Sequence, residues 1–314
     1  MLMDEFELIR RHFSGLTTNT RGVALGIGDD CALLQVPAGH ELAVTTDTLV
    51  AGRHFPLETS AFDIGWKALA VNLSDLAAMG AEPRWFTLAL TLPESESQWL
   101  AEFSHGLKSL AEKYSVSLVG GDTTRGPLSL TLTAMGIVPP GKALRRSNAQ
   151  IGDLVCVTGT LGDAALALAQ LRDPNAPQIL RTRLDRPEPR IATGLALREI
   201  AHAAIDLSDG LAGDLNHILQ ASGVGALIHA EQLPMSDEFK RLTAEIPRLP
   251  LQVQGGDDYE LCFCIPADRI EAARAAAETP LRVIGRITDK PGLRFVDAGG
   301  ATIALNSTGY RHFS

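Results

Sequence analysis

The sequence lacks long apolar runs and lacks cysteine pairs with metal-site spacing. Apolar stretches such as 68–71 are far shorter than the roughly 20 residues that span a bilayer. The spacing typical of zinc ligands is absent from the four cysteines, Cys31, Cys156, Cys262 and Cys264. The N-terminal residues are typical of a charged helix rather than a signal peptide. We therefore expect a cytoplasmic protein with no membrane partner and with cysteines that serve packing.

Positive charge is also scarce. The chain has 28 Lys and Arg residues against 37 Asp and Glu residues, which gives a formal net charge of −9. A protein that binds nucleic acid by neutralising its phosphates needs a basic surface. We therefore expect no nucleic-acid partner, and an anionic ligand would require cations concentrated at its site.

The common nucleotide-binding and hydrolase motifs are missing. GxxxxGK[ST], HExxH and GxSxG do not occur, and Gly26-Ile27-Gly28 lacks the third glycine of a dinucleotide fingerprint. These absences exclude a P-loop and a Rossmann fingerprint, so any nucleotide site must use other residues.

Helix-like and strand-like patterns alternate along the 314 residues, enough chain for two hydrophobic cores. Helical spacing is clearest over 60–79 and 93–114. The Pro- and Arg-rich segment 172–190 predicts an irregular loop. These patterns predict an α+β fold with two domains, residues 1–150 and residues 151–314.

Short acidic turns recur, most of them after an apolar segment. They are GDD at 28–30, TTD at 45–47, GGD at 120–122, DLSDG at 206–210 and GGDD at 255–258. Each one alone is typical of an ordinary turn or helix cap. Glycine, however, also lets a ligand approach the main chain closely, so the repeated pattern favours a shared binding site.

Asp75 differs because it lies inside the predicted helix 60–79 rather than in a turn. It could lie on a solvated helix surface or join the other carboxylates. Two charges about 4 Å apart repel by roughly 4 kcal/mol at an effective dielectric of ~20, so converging carboxylates need cations. Because the candidate donors are oxygen atoms, Mg²⁺ or Mn²⁺ is the natural choice.

Six ordered segments resemble the thiamine-monophosphate kinase family of the aminoimidazole ribonucleotide synthetase-like superfamily. They are GIGDDCALL, TTDTLVAGRHF, KALAVNLSDLAAMGAEP, GGDTTRGPLSLT, IDLSDGLAGDL and GGDDYELCF. The resemblance implies a two-domain α+β fold in which the N-terminal sheets pair into a barrel across a homodimer, with an active-site cleft that involves both domains. It also implies ATP-dependent phosphorylation of thiamine monophosphate to thiamine diphosphate, the last step of thiamine diphosphate biosynthesis.

The resemblance implies a role for each matching residue. Several Mg²⁺ ions would be bound by Asp30, Thr45, Thr46, Asp47, Asp75, Asp122, Asp206 and Asp209. The residues expected to hold ATP are Gly121, Asp122, Arg146 and Ser208. The positions that match thiamine-substrate contacts are His54, Asp257 and Tyr310, although the family commonly has Glu at the position of Asp257. The implied catalytic carboxylates are Asp47, Asp75, Asp122 and Asp209.

The expected mechanism is direct, in-line phosphoryl transfer assisted by metal ions. A general base is not required, because a phosphate monoester with a second pKa of about 6 is already mostly dianionic at neutral pH.

Other functions remain open from the residues alone. Aminoimidazole ribonucleotide synthetase shares the plan, although GRHF and GGDDYEL favour the thiamine enzyme. Selenophosphate synthetase needs a reactive cysteine or selenocysteine near its N-terminus. The hydrogenase maturation relative needs a C-terminal tail that ends in cysteine, and the sequence shows neither feature. A metal-dependent phosphohydrolase would use the same carboxylates with water as the nucleophile. A nucleotide-binding regulator without activity is the remaining alternative.

Overall fold

A computed structural model describes residues 9–17, 21–173 and 176–305. Contacts divide the chain into two compact units. The first comprises Met1–Leu76 and Ala81–Gly141, and the second comprises Ala77–Gly80 and Lys142–Ser314, each as far as the chain is described. Both units contain helices and sheets, which confirms the predicted α+β class.

The first unit contains a two-stranded ribbon and a four-stranded sheet. The ribbon consists of β1 (Val23–Leu25) and β2 (Leu33–Leu34). The sheet strands are β3 (Glu41–Val50), β4 (Glu82–Leu92), β5 (Ser117–Arg125) and β6 (Ser129–Val138), in the spatial order β3-β6-β4-β5. The β4–β5 pair is parallel and the other two pairs are antiparallel, so β3 is an edge strand.

Two helices of the first unit confirm the predicted helical segments: α1 (Ala61–Ala78) and α2 (Ser97–Lys113). Ser60 caps α1, because its hydroxyl oxygen accepts the Asp63 N–H at 3.1 Å. The two helices approach closely at Gly106, where an added Cβ would lie 1.9 Å from the carbonyl oxygen of Phe62. This packing holds α1, and with it Asp75, firmly in the first unit.

The second unit contains a seven-stranded sheet with the spatial order β13-β12-β9-β11-β7-β10-β8. Its strands are β7 (Leu154–Thr158), β8 (Ala203–Asp206), β9 (Gly225–His229), β10 (Leu261–Ile265), β11 (Leu281–Thr288), β12 (Gly292–Val296) and β13 (Thr302–Ile303). Its helices are α3 (Asp163–Ala169), α4 (Gln178–Asp185), α5 (Ile191–Leu197), α6 (Leu211–Ser222), α7 (Asp237–Leu242), α8 (Arg248–Gln254) and α9 (Ile270–Ala276). The pair β9–β12 is parallel, whereas the other neighbours are antiparallel.

The prediction of an irregular loop over 172–190 is wrong, because this segment contains α4. Pro177 precedes the first turn, where its missing N–H costs nothing. Leu180 and Leu184, one helical turn apart, are each only 1% exposed. The prolines therefore bound the helix instead of interrupting it, and burial of one apolar face stabilises it.

Three of the four cysteines are buried, as expected for a packing role, whereas the exposed Cys31 does not fit that expectation. Cys156, Cys262 and Cys264 are buried free thiols, and Cys31 is an exposed free thiol. Burial raises the pKa of the Cys156 thiol to about 12, which keeps it protonated and unreactive. In the described parts of the chain, no helix is long and apolar enough to cross a membrane.

Candidate active site

Two of the sequence-predicted carboxylates meet in the first unit. Side chains alternate along β3, so Thr45 and Asp47 share one face of that strand. The Thr45 hydroxyl donates to Oδ2 of Asp75, and Asp47 and Asp75 are hydrogen-bonded to each other. The Asp75 side chain therefore contacts β3, and the alternative of a purely solvated helix position is wrong.

The contact changes the acidity of Asp47. Burial, the charge of Asp75 and the hydrogen bond between the carboxyls raise the pKa of Asp47 to about 6. Without a cation, the pair therefore retains a proton at a pH where isolated aspartates have lost theirs. Two carboxylates and a hydroxyl supply oxygen donors only, which suits Mg²⁺ completed by water or phosphate oxygens.

The Thr46 side chain is on the opposite face of β3. Its hydroxyl oxygen lies 2.9 Å from that of Thr133 in β6. The structure therefore separates the Thr46 hydroxyl from the Asp47–Asp75 pair, although the two residues are adjacent in the chain.

Asp30, Gly121 and Asp122 line a cavity of about 690 Å³ formed by residues 27–32 and the β4–β5 strands. Gly121 has a φ of +155°, and an added Cβ would lie 1.9 Å from the Leu88 carbonyl oxygen, so only glycine fits. Asp122 lies beside Ala89 of β4 in the sheet. Asp47 belongs to the neighbouring row of side chains across the strands, the row that contains Leu88 of β4. Because alternate rows point to opposite faces, Asp122 is not on the Asp47 face.

The predicted metal ligands thus form two groups in the first unit, Asp47 with Asp75 and Asp30 with Asp122. Within residues 9–17, 21–173 and 176–305, no three His, Cys, Asp or Glu side chains come close enough to hold a metal ion. Among the described residues of the first unit, the candidate carboxylates therefore do not form a single cluster.

His54 follows the end of β3. The Val50 N–H donates to Nδ1 of His54 at 2.9 Å, and the His54 N–H donates to the Val50 carbonyl at 3.0 Å. Because Nδ1 accepts, the neutral ring carries its proton on Nε2. The turn therefore fixes both the orientation and the tautomer of His54.

In the second unit, the two acidic segments 206–210 and 257–260 run side by side. The Leu207 N–H donates to the Glu260 carbonyl and the Tyr259 N–H to the Leu207 carbonyl, both at 2.8 Å. The Asp257 N–H donates to the Ser208 carbonyl at 2.9 Å. These bonds bring Asp206, Ser208, Asp209 and Asp257 into adjacent stretches of main chain.

The 257–260 segment has an unusual backbone. Asp257 has a φ of +67° and Tyr259 has a φ of +48°, values that favour glycine. Such conformations cost on the order of 1–3 kcal/mol and persist only where surrounding contacts enforce them.

The side chains of Asp258 and Glu260 in this segment make buried polar contacts that the sequence analysis missed. Glu260 is fully buried and accepts hydrogen bonds from Thr158 at 2.6 Å, Arg183 at 2.8 Å and Arg190 at 2.6 Å. Burial alone would raise the pKa of Glu260, but the arginines hold it below its ordinary value. The carboxylate of Asp258 accepts the Gly162 N–H, and burial raises the pKa of Asp258 well above its usual range.

The remaining sequence-predicted residues are Arg146 and Tyr310. Arg146 is exposed in a short 3₁₀ turn of the second unit, and its carbonyl accepts the Ser222 hydroxyl at 2.8 Å. Tyr310 lies outside the described residues.

Family models match most of the chain. The N-terminal domain of AIR synthase related proteins matches residues 28–138, and the C-terminal domain of the same proteins matches residues 150–298. Each half of the chain therefore has the fold elements of an AIR synthase related domain, which defines the class of protein.

Individual relatives define the family more narrowly. The chain is 48% identical to thiamine-monophosphate kinase of Salmonella typhimurium over 325 aligned residues, covering 100% of this chain and 99% of the relative. The crystal structure of thiamine-monophosphate kinase from Stenotrophomonas maltophilia is 50% identical, with a TM-score of 0.87 and coverage of 94% of this chain and 97% of that one. The complex of AaThiL with AMPPCP and TMP is 32% identical, with a TM-score of 0.80 and coverage of 91% and 92%. The chain belongs to the thiamine-monophosphate kinase family.

Removal of the Glu260 charge should destabilise the second unit. In Glu260→Gln, Arg183 and Arg190 lose their shared counter-ion, and breaking a buried ionic group of this kind costs about 3–5 kcal/mol. Urea denaturation should therefore give a lower unfolding midpoint. The control is Glu271→Gln, because Glu271 is exposed and pairs with Arg274 at 2.7 Å. Equal midpoints for the two variants would contradict the role of this ionic group.

Asp47 should make the metal-free protein less stable as pH rises. Its folded pKa of about 6 lies above the ordinary 3.8, so the folded state binds more protons between these values. The free energy of unfolding therefore falls from about pH 4 to pH 6, and the penalty persists above pH 6. In EDTA at about pH 8, Asp47→Asn should melt on the order of 2 °C higher than wild type. At about pH 4, where the Asp47 carboxyl is protonated in the folded protein, the two proteins should melt at the same temperature.

The exposed Asp289 provides the control, since Asp289→Asn should melt at the wild-type temperature at both pH values. A wild-type protein that melts no lower than Asp47→Asn at about pH 8 would show that the carboxyls do not share a proton.

Proposed function

We propose that the chain transfers the γ-phosphoryl group of ATP to the phosphate of thiamine monophosphate, giving thiamine diphosphate and ADP. The observation that carries the proposal is the 48% identity to a thiamine-monophosphate kinase over the whole of both chains. The Asp47–Asp75 pair supports it, because a reaction between two polyanions needs cations held near the phosphates.

Mg²⁺ fits the donor chemistry of the candidate residues. Its proposed ligands are Asp30, Thr45, Thr46, Asp47, Asp75, Asp122, Asp206 and Asp209. Asp47 and Asp75 are the best supported, because their shared proton marks a place where a cation would be favourable. When bound, Mg²⁺ would offset the negative charge of the phosphates.

The nucleotide is proposed to lie against Gly121, Asp122, Arg146 and Ser208. Gly121 and Asp122 line the cavity of the first unit, and the Arg146 guanidinium can form two parallel hydrogen bonds to phosphate oxygens. Residues 1–150 would contribute metal binding, ATP binding and dimerisation, and residues 151–314 would complete the site.

The thiamine substrate is proposed to contact His54, Asp257 and Tyr310. Asp257 would place its carboxylate toward the cationic part of the substrate, on a backbone fixed by Ser208. The acceptor phosphate is already mostly dianionic at neutral pH, so none of these residues has to remove a proton. Their task is to orient the phosphate in line with the γ-phosphorus.

A homodimer is part of the proposal. On the edge strand β3, Leu42, Val44 and Val50 are 45%, 57% and 37% exposed. An edge strand with exposed apolar side chains is suited to association with a second sheet, here as a barrel built from two copies. The cytoplasm remains the expected location, from the sequence alone.

Product analysis tests the activity. With ATP, Mg²⁺ and thiamine monophosphate, the protein should form ADP and thiamine diphosphate in equal amounts, separated by chromatography. A phosphohydrolase would instead release inorganic phosphate, and turnover of an aminoimidazole precursor would indicate the related synthetase. Either result without thiamine diphosphate would refute the proposal.

The same assay tests the carboxylate pair. Asp47→Asn and Asp75→Asn should each lower kcat by about 10²–10³-fold, because removal of one preorganised electrostatic group has effects of this size. Circular dichroism should show that both variants remain folded. Asp289→Asn is the matched control and should keep wild-type kcat. Normal turnover in either pair variant would exclude that residue from the metal site.

Sedimentation tests the dimer. The wild-type chain should sediment as two copies at about micromolar concentration, a range typical of specific association. Val44→Lys should sediment as one copy, because it places a charge on the proposed contact face. Leu57→Lys is the control, since Leu57 is 79% exposed but lies in a turn outside the sheet. A monomeric wild type would contradict the proposed assembly.

A further inference from the structure

The loop between β8 and α6 is held at both of its ends. Its first residues, Leu207 and Ser208, are hydrogen-bonded to the 257–260 segment. In its second half, the N–H groups of Asp209 and Gly210 both donate to Oδ2 of Asp214, at 3.0 and 3.1 Å. A single carboxylate oxygen thus fixes two consecutive peptide groups.

This arrangement differs from an ordinary helix start. A side chain at the N-cap position usually accepts the first N–H groups of a helix. Here the N-cap residue is Gly210, with a φ of +106°, and an added Cβ would lie 2.8 Å from the Gly255 carbonyl oxygen. Gly210 therefore has no room for a capping side chain, and Asp214, inside the first turn of α6, instead reaches back to accept the N–H groups of Gly210 and of Asp209 before it.

We infer that Asp214 is a positioning residue that sets the direction in which Asp209 presents its carboxylate to Mg²⁺. The peptide N–H of Asp209 is bound by Asp214, so a change at Asp214 rotates the main chain from which the Asp209 side chain projects. Asp214 is only 4% exposed, which leaves it little freedom to move. The inference rests on the proposed function, in which Asp206 and Asp209 bind metal.

Asp163 offers a matched control for the stability that Asp214 adds. It is 2% exposed and begins α3, so it has a similar burial and a similar place in a helix. Its carboxylate accepts the Thr160 and Ser236 hydroxyls, both at 2.6 Å, instead of the amides of the 206–210 loop. Loss of Asp163 should therefore affect stability without changing the presentation of Asp209.

The experiment compares Asp214→Ala, Asp214→Asn and Asp163→Ala in the full chain. Calorimetry measures Mg²⁺ affinity with saturating AMPPCP, and NMR measures amide hydrogen exchange at Asp209 and Gly210. Asp214→Ala should weaken Mg²⁺ binding by about 10–100-fold, as expected when a group that orients a metal ligand is lost, and should accelerate exchange. Asp214→Asn keeps an acceptor oxygen and should restore most of both properties, while Asp163→Ala should keep wild-type Mg²⁺ affinity.

Wild-type Mg²⁺ affinity in a folded Asp214→Ala variant would overturn the inference, as would an equal loss in Asp163→Ala. If Asp214→Ala does not fold, Asp214→Glu replaces it, because the longer side chain keeps a carboxyl group but moves the acceptor oxygen. Unchanged Mg²⁺ affinity in Asp214→Glu would also overturn the inference. The binding measurement does not depend on turnover. A protein that binds Mg²⁺ and AMPPCP with the expected pattern but forms no thiamine diphosphate would refute the proposed activity and support the role of Asp214.

Discussion

The contact between the carboxyls of Asp47 and Asp75 is the interaction on which the account of this site depends. Two carboxylates in hydrogen-bond contact repel each other when both are charged, so the pair is stabilised by a proton below about pH 6 and by a cation above it. The pKa of about 6 for Asp47 shows the first case. The second case is the one that a phosphoryl-transfer enzyme can use, since a cation that relieves the pair also attracts phosphate.

Packing and strand pairing in the first unit hold the two residues near each other. Asp75 is carried by α1, which packs closely on α2 at Gly106, and Asp47 is carried by a strand paired along its whole length with β6. The main chain that carries each residue is therefore fixed by packing or by strand pairing. The unfavourable pairing is therefore maintained by the rest of the first unit, as expected where strain serves a function.

The second unit also buries a carboxylate, but there the pKa of the carboxylate is lowered instead of raised. There the buried carboxylate of Glu260 is hydrogen-bonded to two arginines, which keep its pKa below the ordinary value. The difference between the units follows from the partners available. The two arginines neutralise the Glu260 carboxylate within the protein, whereas the Asp47–Asp75 pair brings two carboxyls together, an arrangement that favours a bound proton or cation.

Sequence patterns predicted the local features well, because those depend on nearby residues. Helix α1 has apolar residues at helical spacing and a serine cap, and it was found where it was expected. Helix α4 escapes the sequence prediction because prolines usually break helices, but Pro177 and Pro187 lie outside this helix and the burial of Leu180 and Leu184 stabilises it.

Long-range contacts were less accessible to sequence reasoning. The pattern placed Asp75 inside a helix but could not give its neighbour, since Thr45 lies 30 positions away. The arginines that bind Glu260 lie 77 and 70 positions before it, and nothing local to Glu260 indicates them. Asp214 is the exception that sequence could have suggested, because an acidic residue in the first turn of a helix can reach back to the N–H groups that precede the helix.

Titration of the Asp47 carboxyl by carbon-13 NMR tests the central claim most directly. In the metal-free protein its pKa should be about 6, and saturating Mg²⁺ should lower it below the ordinary value because the cation replaces the shared proton. A pKa that is ordinary without metal, or that Mg²⁺ leaves unchanged, would contradict the account.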